Sequence, residues 1–175
     1  MQSKDIFSLF EKIYFFECER KEKIFARLPL SFAAIGALIG YYSLLLNLPW
    51  DELRFGLQAV FWSVFFFSVG CTFSAAIEFI RALLGRTDKA IPTADDIERH
   101  RQNLVRHYEP YEGADTYIEK EMENVMYRHY MENSTVITLN NDWKSVRIYN
   151  CNLLLFFSAF SGLFCYFLAG LNAGG

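Results

Sequence analysis

The sequence predicts an all-α membrane protein with three transmembrane helices and a helical cytoplasmic insertion between the second and third. Three observations lead there. Residues 28–50, residues 55–77 and everything after Arg147 carry no charged side chain. Each run is long enough, because a helix rises about 1.5 Å per residue and about 20 apolar residues cross a hydrocarbon layer of about 30 Å. Outside these runs and a short hairpin, charged residues collect in 1–27 and 78–147, where apolar residues recur at helical spacing instead. Mean hydropathy is only +0.11, so the distribution along the chain carries the prediction and the average does not. A soluble domain of 175 residues would have to wrap three wholly apolar helices with only two further segments.

Residues 1–27 are expected to form a cytoplasmic amphipathic helix. Ile6, Phe10, Ile13, Ile24 and Leu28 share a face, "ECERKEK" forms the polar side, and Pro29 marks a boundary or kink. Such a helix lies on the membrane surface or runs straight into the first span. Its mixed charge is unlike the short basic start of a secretory signal, so the apolar run that follows reads as a permanent anchor.

Residues 28–85 are expected to form a transmembrane helical hairpin, with spans at about 29–49 and 56–80. Small residues let membrane helices approach closely. The first span has Ala33, Gly36, Ala37 and Gly40 on one stripe, and the second has Ser63, Gly70, Cys71 and Ser74. Residues 148–175 supply the third span and a short external tail, with Ser158, Ser161, Gly162 and Cys165. Gly36, Gly40, Gly70, Ser74, Ser158 and Gly162 are the candidate packing positions, within one three-helix subunit or between copies in a homo-oligomer. Glu78 and Arg81, three apart, are expected to pair with each other or with lipid headgroups.

Residues 86–147 are expected to be a cytoplasmic helical region. Thr93 and Asp96 have capping-box spacing, Ile97, Leu104, Val105 and Tyr108 share a face, and Pro110 and Gly113 stop the helix. A second helix starts at Asp115 and aligns Ile118, Met122, Val125 and Met126; the β-branched run "STVIT" at 134–138 weakens its continuity into the third span. Beyond it comes a polar stripe: Asn133, Asn140, Asn141, Lys144 and Arg147, then Asn150 and Asn152. These side chains fit either bonds to the first helix or a neighbouring copy, or a polar funnel at the mouth of an oligomeric pore.

Of the Lys and Arg residues, only Arg54 falls outside 1–27 and 78–147, so the positive-inside rule places the N-terminus and the long insertion in the cytoplasm and the C-terminus outside. Cys18, Cys71, Cys151 and Cys165 lie in spans or on the reducing side and show no zinc or redox spacing, so no disulfide is expected.

Chemistry is sparse. Arg101 and His107, six apart in "RQNLVRH", are the only catalytic candidates, and their spacing is similar to the Arg-His arrangement of the small helical HEPN ribonucleases. Asp96, His100 and His107 make at most a partial metal site, and His129 stands alone, so neither metal nor cofactor is expected. The net charge of −3, with acids and bases interspersed, does not indicate a nucleic-acid surface. No charge sits mid-span, which counts against a proton- or ion-coupled carrier, although Ser63, Ser68 and Thr72 hydroxyls can line a wet path in an oligomer.

The segment "YFFECERKEK" before the first span and "NNDWKSVRIYNCNLLLFFS" leading into the last resemble a group of small bacterial multi-pass membrane proteins. These are the SLATT-like and CRISPR-accessory membrane effectors of anti-phage defence, matched here at Glu17, Arg20, Asn140 and Lys144. The resemblance implies a non-enzymatic, oligomeric inner-membrane effector that perturbs the membrane when a cytosolic partner or signalling ligand engages it; this chain has a third span where some members have two. The alternative is a membrane scaffold that recruits a cytosolic enzyme, and a membrane-anchored HEPN-like ribonuclease comes third.

Overall fold

The computed structural model describes residues 3–47, 55–86 and 91–172, and among these every regular element is helical. Most of the expected hairpin 47–56 and the tail beyond Asn172 lie outside the described residues. In chain order the helices are α1 (Ser3–Phe25), α2 (Leu28–Leu46), α3 (Phe55–Leu84), α4 (Ala94–Tyr108) and α5 (Ala114–Asn172). Three stretches, Asp5–Leu46, Phe55–Leu84 and Ala114–Gly170, are long and apolar enough to cross a membrane. The chain divides into two compact units, one of residues 1–23 and 86–141, the other of residues 24–85 and 142–175.

α1 ends two residues before α2, and Pro29 occupies the first turn of α2, where its missing N–H costs nothing. Gly85, at φ +43°, closes α3, and Gly113, at φ +77°, turns the chain from α4 into α5. The left-handed conformation of Gly85 favours glycine there, and a Cβ would lie 2.5 Å from Lys144 Cε and displace the end of that side chain. The β-branched run at 134–138 does not break α5. Ser134 and Thr135 turn their hydroxyls back onto the Met131 carbonyl at 3.0 and 2.9 Å and stay inside the helix.

In the first unit the apolar face of α1 packs on α5 rather than on a surface of its own. Phe7 meets Tyr130 edge-on at 5.6 Å, Phe10 meets Tyr127 at 5.4 Å, and Tyr14 reaches Tyr130 at 5.6 Å. Tyr108 of α4 stacks on Tyr117 of α5 at 6.0 Å.

The second unit is a three-helix bundle with a strict seven-residue repeat. In α2 the inward columns are Leu28, Ile35, Tyr42 and Ser31, Leu38, Leu45; in α3 they are Phe61, Ser68, Ala75, Ala82 and Phe65, Thr72, Phe79. All but Leu38 and Phe79 are buried, and those two pack against the core clusters. α5 carries the longest repeat: Tyr130, Ile137, Lys144, Cys151, Ser158 and Cys165 in one column, and Ser134, Asn141, Ile148, Leu155, Gly162 and Ala169 in the other, all twelve buried. A period of 3.5 residues is the signature of knobs-into-holes packing, with helices crossing at about 20°. The outward faces are apolar too: Leu30, Phe32, Leu44, Phe66, Phe73 and Leu163 are all more than 60% exposed.

The expected packing positions divide accordingly. Ser158 and Gly162 lie in the α5 seam and are used inside the chain. Ser74 is half-buried, while Gly36, Gly40 and Gly70 face outward with nothing within 4 Å of where a Cβ would stand. A Cβ on Gly162 would come within 2.8 Å of the Tyr41 ring, whose hydroxyl donates to the Gly162 carbonyl at 3.2 Å. Gly162→Leu is therefore expected to destabilise the folded chain by about 1–3 kcal/mol, read as a lower melting midpoint in mild detergent, whereas Gly36→Leu leaves that midpoint unchanged.

Candidate functional site

α5 is one helix with a half-polar, half-apolar buried seam, and its polar half is the candidate site. Asn133, Asn140 and Lys144, three of the residues singled out as a polar stripe, are 3%, 3% and 4% exposed. A buried polar group without a partner costs about 1–3 kcal/mol, so each one demands an account of what it bonds.

In the first unit the account begins with Glu17, 5% exposed on α1. The Asn141 amide nitrogen donates at 2.9 Å both to the Glu17 carbonyl and to its carboxylate, and Arg20 stands 3.4 Å from the same carboxylate. Thus Glu17 and Arg20 of α1 meet the polar stripe through Asn141. The Asn133 amide nitrogen and the Asn141 amide oxygen have no hydrogen-bond partner among the described residues.

In the second unit the seam has four polar levels. Lys144 lays its ammonium over the Phe25 ring, 4.9 Å from the centroid, beside Gly85 at the end of α3. A cation there meets the negative end of the α3 dipole. Next, Glu78 accepts from Arg147 at 3.0 Å and from Arg81 at 3.1 Å, and the Arg147 guanidinium lies over Trp143 at 5.1 Å. The expected Glu78–Arg81 pair is present, and Arg147 is an additional partner from α5. Above these, Ser31 donates to the Asn152 amide oxygen at 2.9 Å.

Deepest in the bundle, Tyr42, Ser68, Thr72 and Ser158 join four hydroxyls. Tyr42 Oη lies 2.5 Å from Thr72 Oγ1, 2.6 Å from Ser158 Oγ and 3.0 Å from the Ser68 carbonyl, and Ser68 donates to the Ser158 carbonyl at 2.7 Å. The cluster satisfies itself without a charge. Ser68 and Thr72 therefore face one another inside the chain, and Ser63 donates back to the Ala59 carbonyl at 2.8 Å.

The weaker candidates separate. Arg101 forks onto the Glu98 carboxylate at 2.7 and 2.8 Å, which occupies the guanidinium, and His107 is exposed and edge-on to Tyr108. His100 lines a groove of about 260 Å³ between α4 and α5 with His129, Asp96 and Met122, while His107 lines a different one. Among the described residues no three His, Cys, Asp or Glu side chains gather to hold a metal ion. The Tyr14 hydroxyl is pushed up to about 12, by burial first and then by its bond with Cys18.

Sequence reading expected stripe amides to bond to the first helix, as Asn141 does, but missed Glu17 as the partner, the role of Tyr42 and the heptad itself. The signal was available: Tyr42 and Ser68 each fall in a seven-residue column otherwise filled by apolar or small residues, and Ser158 follows Lys144 and Cys151 in another. No family model, no curated protein and no solved structure matches the chain.

Two predictions follow from these contacts. Glu78→Ala strands the half-buried Arg147 and is expected to cost about 3 kcal/mol in a detergent unfolding titration, while Glu78→Leu combined with Arg147→Met recovers most of that loss. Asp96 is held below the usual carboxylate range by the Thr93 hydroxyl, then by the Thr93 backbone N–H; Glu98 is lowered to about 2 by Arg101, then Gln102. Because both are depressed in the folded state, their stabilisation is complete above the ordinary carboxylate pKa of about 4. It is lost as pH falls through their folded values. Protection from hydrogen exchange across 94–108, corrected for the intrinsic pH dependence of exchange, is expected to fall between about pH 4 and about pH 2, ahead of that of the α5 seam.

Proposed function

We propose that the chain is a multi-pass inner-membrane effector. Its cytoplasmic helical unit, residues 1–23 and 86–141, is biased by a cytosolic partner or ligand, and its three-helix unit responds within the bilayer. The charge-free outward faces of α2, α3 and the second half of α5 support membrane insertion, since exposed apolar surface of this extent has no counterpart on soluble monomers. The distribution of Lys and Arg supports a cytoplasmic N-terminus and an external C-terminus.

One observation carries the reading. α5 runs unbroken from Ala114 to Asn172, and a single heptad register spans residues 130–169, so a rotation or shift imposed on its first half reaches the second half without a hinge to absorb it. A ligand changes the state of such a helix only by its differential affinity for the two arrangements. The groove lined by Ile97, His100, Met122, Val125, Met126 and His129 is where a partner biases it. Self-association through the outward Gly36 and Gly40 stripe then opens the membrane, in keeping with the defence role that the sequence resemblance implies.

The experiment is a membrane-potential dye reading in cells expressing the wild type, a variant with one alanine inserted after Asn141, and one with seven residues inserted there. One residue rotates the following helix by about 100°, whereas seven preserve the phase to within about 20°. Depolarisation by the wild type and the seven-residue variant, lost in the one-residue variant although all three reach the membrane, is the expected result. No depolarisation by any of them supports the scaffold reading instead.

A further inference from the structure

We infer that the groove between the start of α2 and the middle of α5 binds the phosphate of an anionic glycerophospholipid. The groove is lined by Ile24, Arg27, Ser145, Ile148, Tyr149 and Asn152 and holds about 150 Å³, room for roughly five waters. Ile24 and Ile148 are buried and make an apolar floor. The other four residues, of which Arg27, Tyr149 and Asn152 are exposed, each offer a donor: a guanidinium, two hydroxyls and an amide. Ser31 occupies the Asn152 amide oxygen at 2.9 Å, which leaves the amide N–H groups as the free end of that side chain. Among the described residues no ion pair or hydrogen bond engages the Arg27 guanidinium, the Ser145 hydroxyl, the Tyr149 hydroxyl or the Asn152 amide nitrogen. The first turn of α2 contains no acid.

Four donor groups with no partner among the described residues, one of them cationic, line a single groove that holds no acidic residue, a lining suited to an anion. Position identifies the anion's source. Arg27 directly precedes α2, and the outward side chains of the next turn, Leu30 and Phe32, are 76% and 67% exposed. A phosphate at Arg27 therefore has apolar surface running away from it on which acyl chains lie, an arrangement that a free phosphate would not use. The inference rests on the membrane reading above.

The test uses the full chain: wild type, Arg27→Gln and Lys23→Gln in mild detergent, each supplied with dioleoyl-phosphatidylglycerol or dioleoyl-phosphatidylcholine and followed by native mass spectrometry. Lys23 pairs with Glu19 outside the groove and controls for loss of a surface charge. The expected result is one retained phosphatidylglycerol on the wild type and on Lys23→Gln, and about tenfold weaker retention on Arg27→Gln. Asn152→Asp, which keeps an acceptor for Ser31 but puts a carboxylate in the groove, is expected to lose the lipid as well and serves if Arg27→Gln does not fold. Equal retention by wild type, Arg27→Gln and Asn152→Asp overturns the site, as does displacement of the lipid by millimolar inorganic phosphate. Failure of the wild type to insert into vesicles of either lipid overturns the membrane reading itself, an outcome separate from loss of selectivity at Arg27.

Discussion

The α5 seam is the constraint on which the rest of the structure depends. A helix whose buried face alternates Lys144, Asn141, Ser134 and Ser158 with Ile137, Ile148, Leu155 and Ala169 cannot be packed by shape alone. Each polar member dictates what must stand opposite: Glu17 for Asn141, the end of α3 and Phe25 for Lys144, Glu78 for Arg147, and the Tyr42–Ser68–Thr72 hydroxyls for Ser158. Slipping any partner by one turn would leave several of these groups buried and unpaired, at about 1–3 kcal/mol each. Polar seam residues thus set the register, the role best attested for buried polar groups in helical bundles.

On the proposed membrane reading, apolar segments with lipid on the outside gain little from hydrophobic burial between helices, so close packing and hydrogen bonds define the bundle. This explains why the four-hydroxyl cluster lies where the surroundings are most apolar, with Phe61, Phe65 and Leu45 in the core nearby. A hydroxyl there has no water to return to, and the tyrosine reaches across to both other helices. The same reasoning separates the two kinds of small residue. Gly162 is small because Tyr41 lies against it, whereas Gly36 and Gly40 leave an open, smooth strip on the outer face of α2.

Much of the architecture was legible from charge and periodicity. Charge-free runs located the apolar helices, Pro29 and Gly113 marked breaks, and Thr93 with Asp96 forms the capping box, with the Asp96 N–H donating to the Thr93 hydroxyl at 3.2 Å. The helical boundary of α5 was less legible, because β-branched residues at 135–138 disfavour a helix locally while Ile137 anchors one through tertiary burial. The polar stripe was visible as a pattern, but its partners were not. Nothing local in "YFFECERKEK" distinguishes Glu17, which is buried against Asn141, from Glu19, which is solvated and paired with Lys23 at 2.7 Å. That difference is made by a residue 124 positions away.

The unbroken heptad of α5 is also what the proposed function draws on. In a helix with a Gly or Pro break, each half can relax independently and a displacement dissipates at the break. Between Ala114 and Gly162, α5 contains neither residue, and the buried columns keep the same phase where the polar half gives way to the apolar one. α5 therefore offers no built-in break between its polar and its apolar half, which supports the proposed response of this helix to a bound partner.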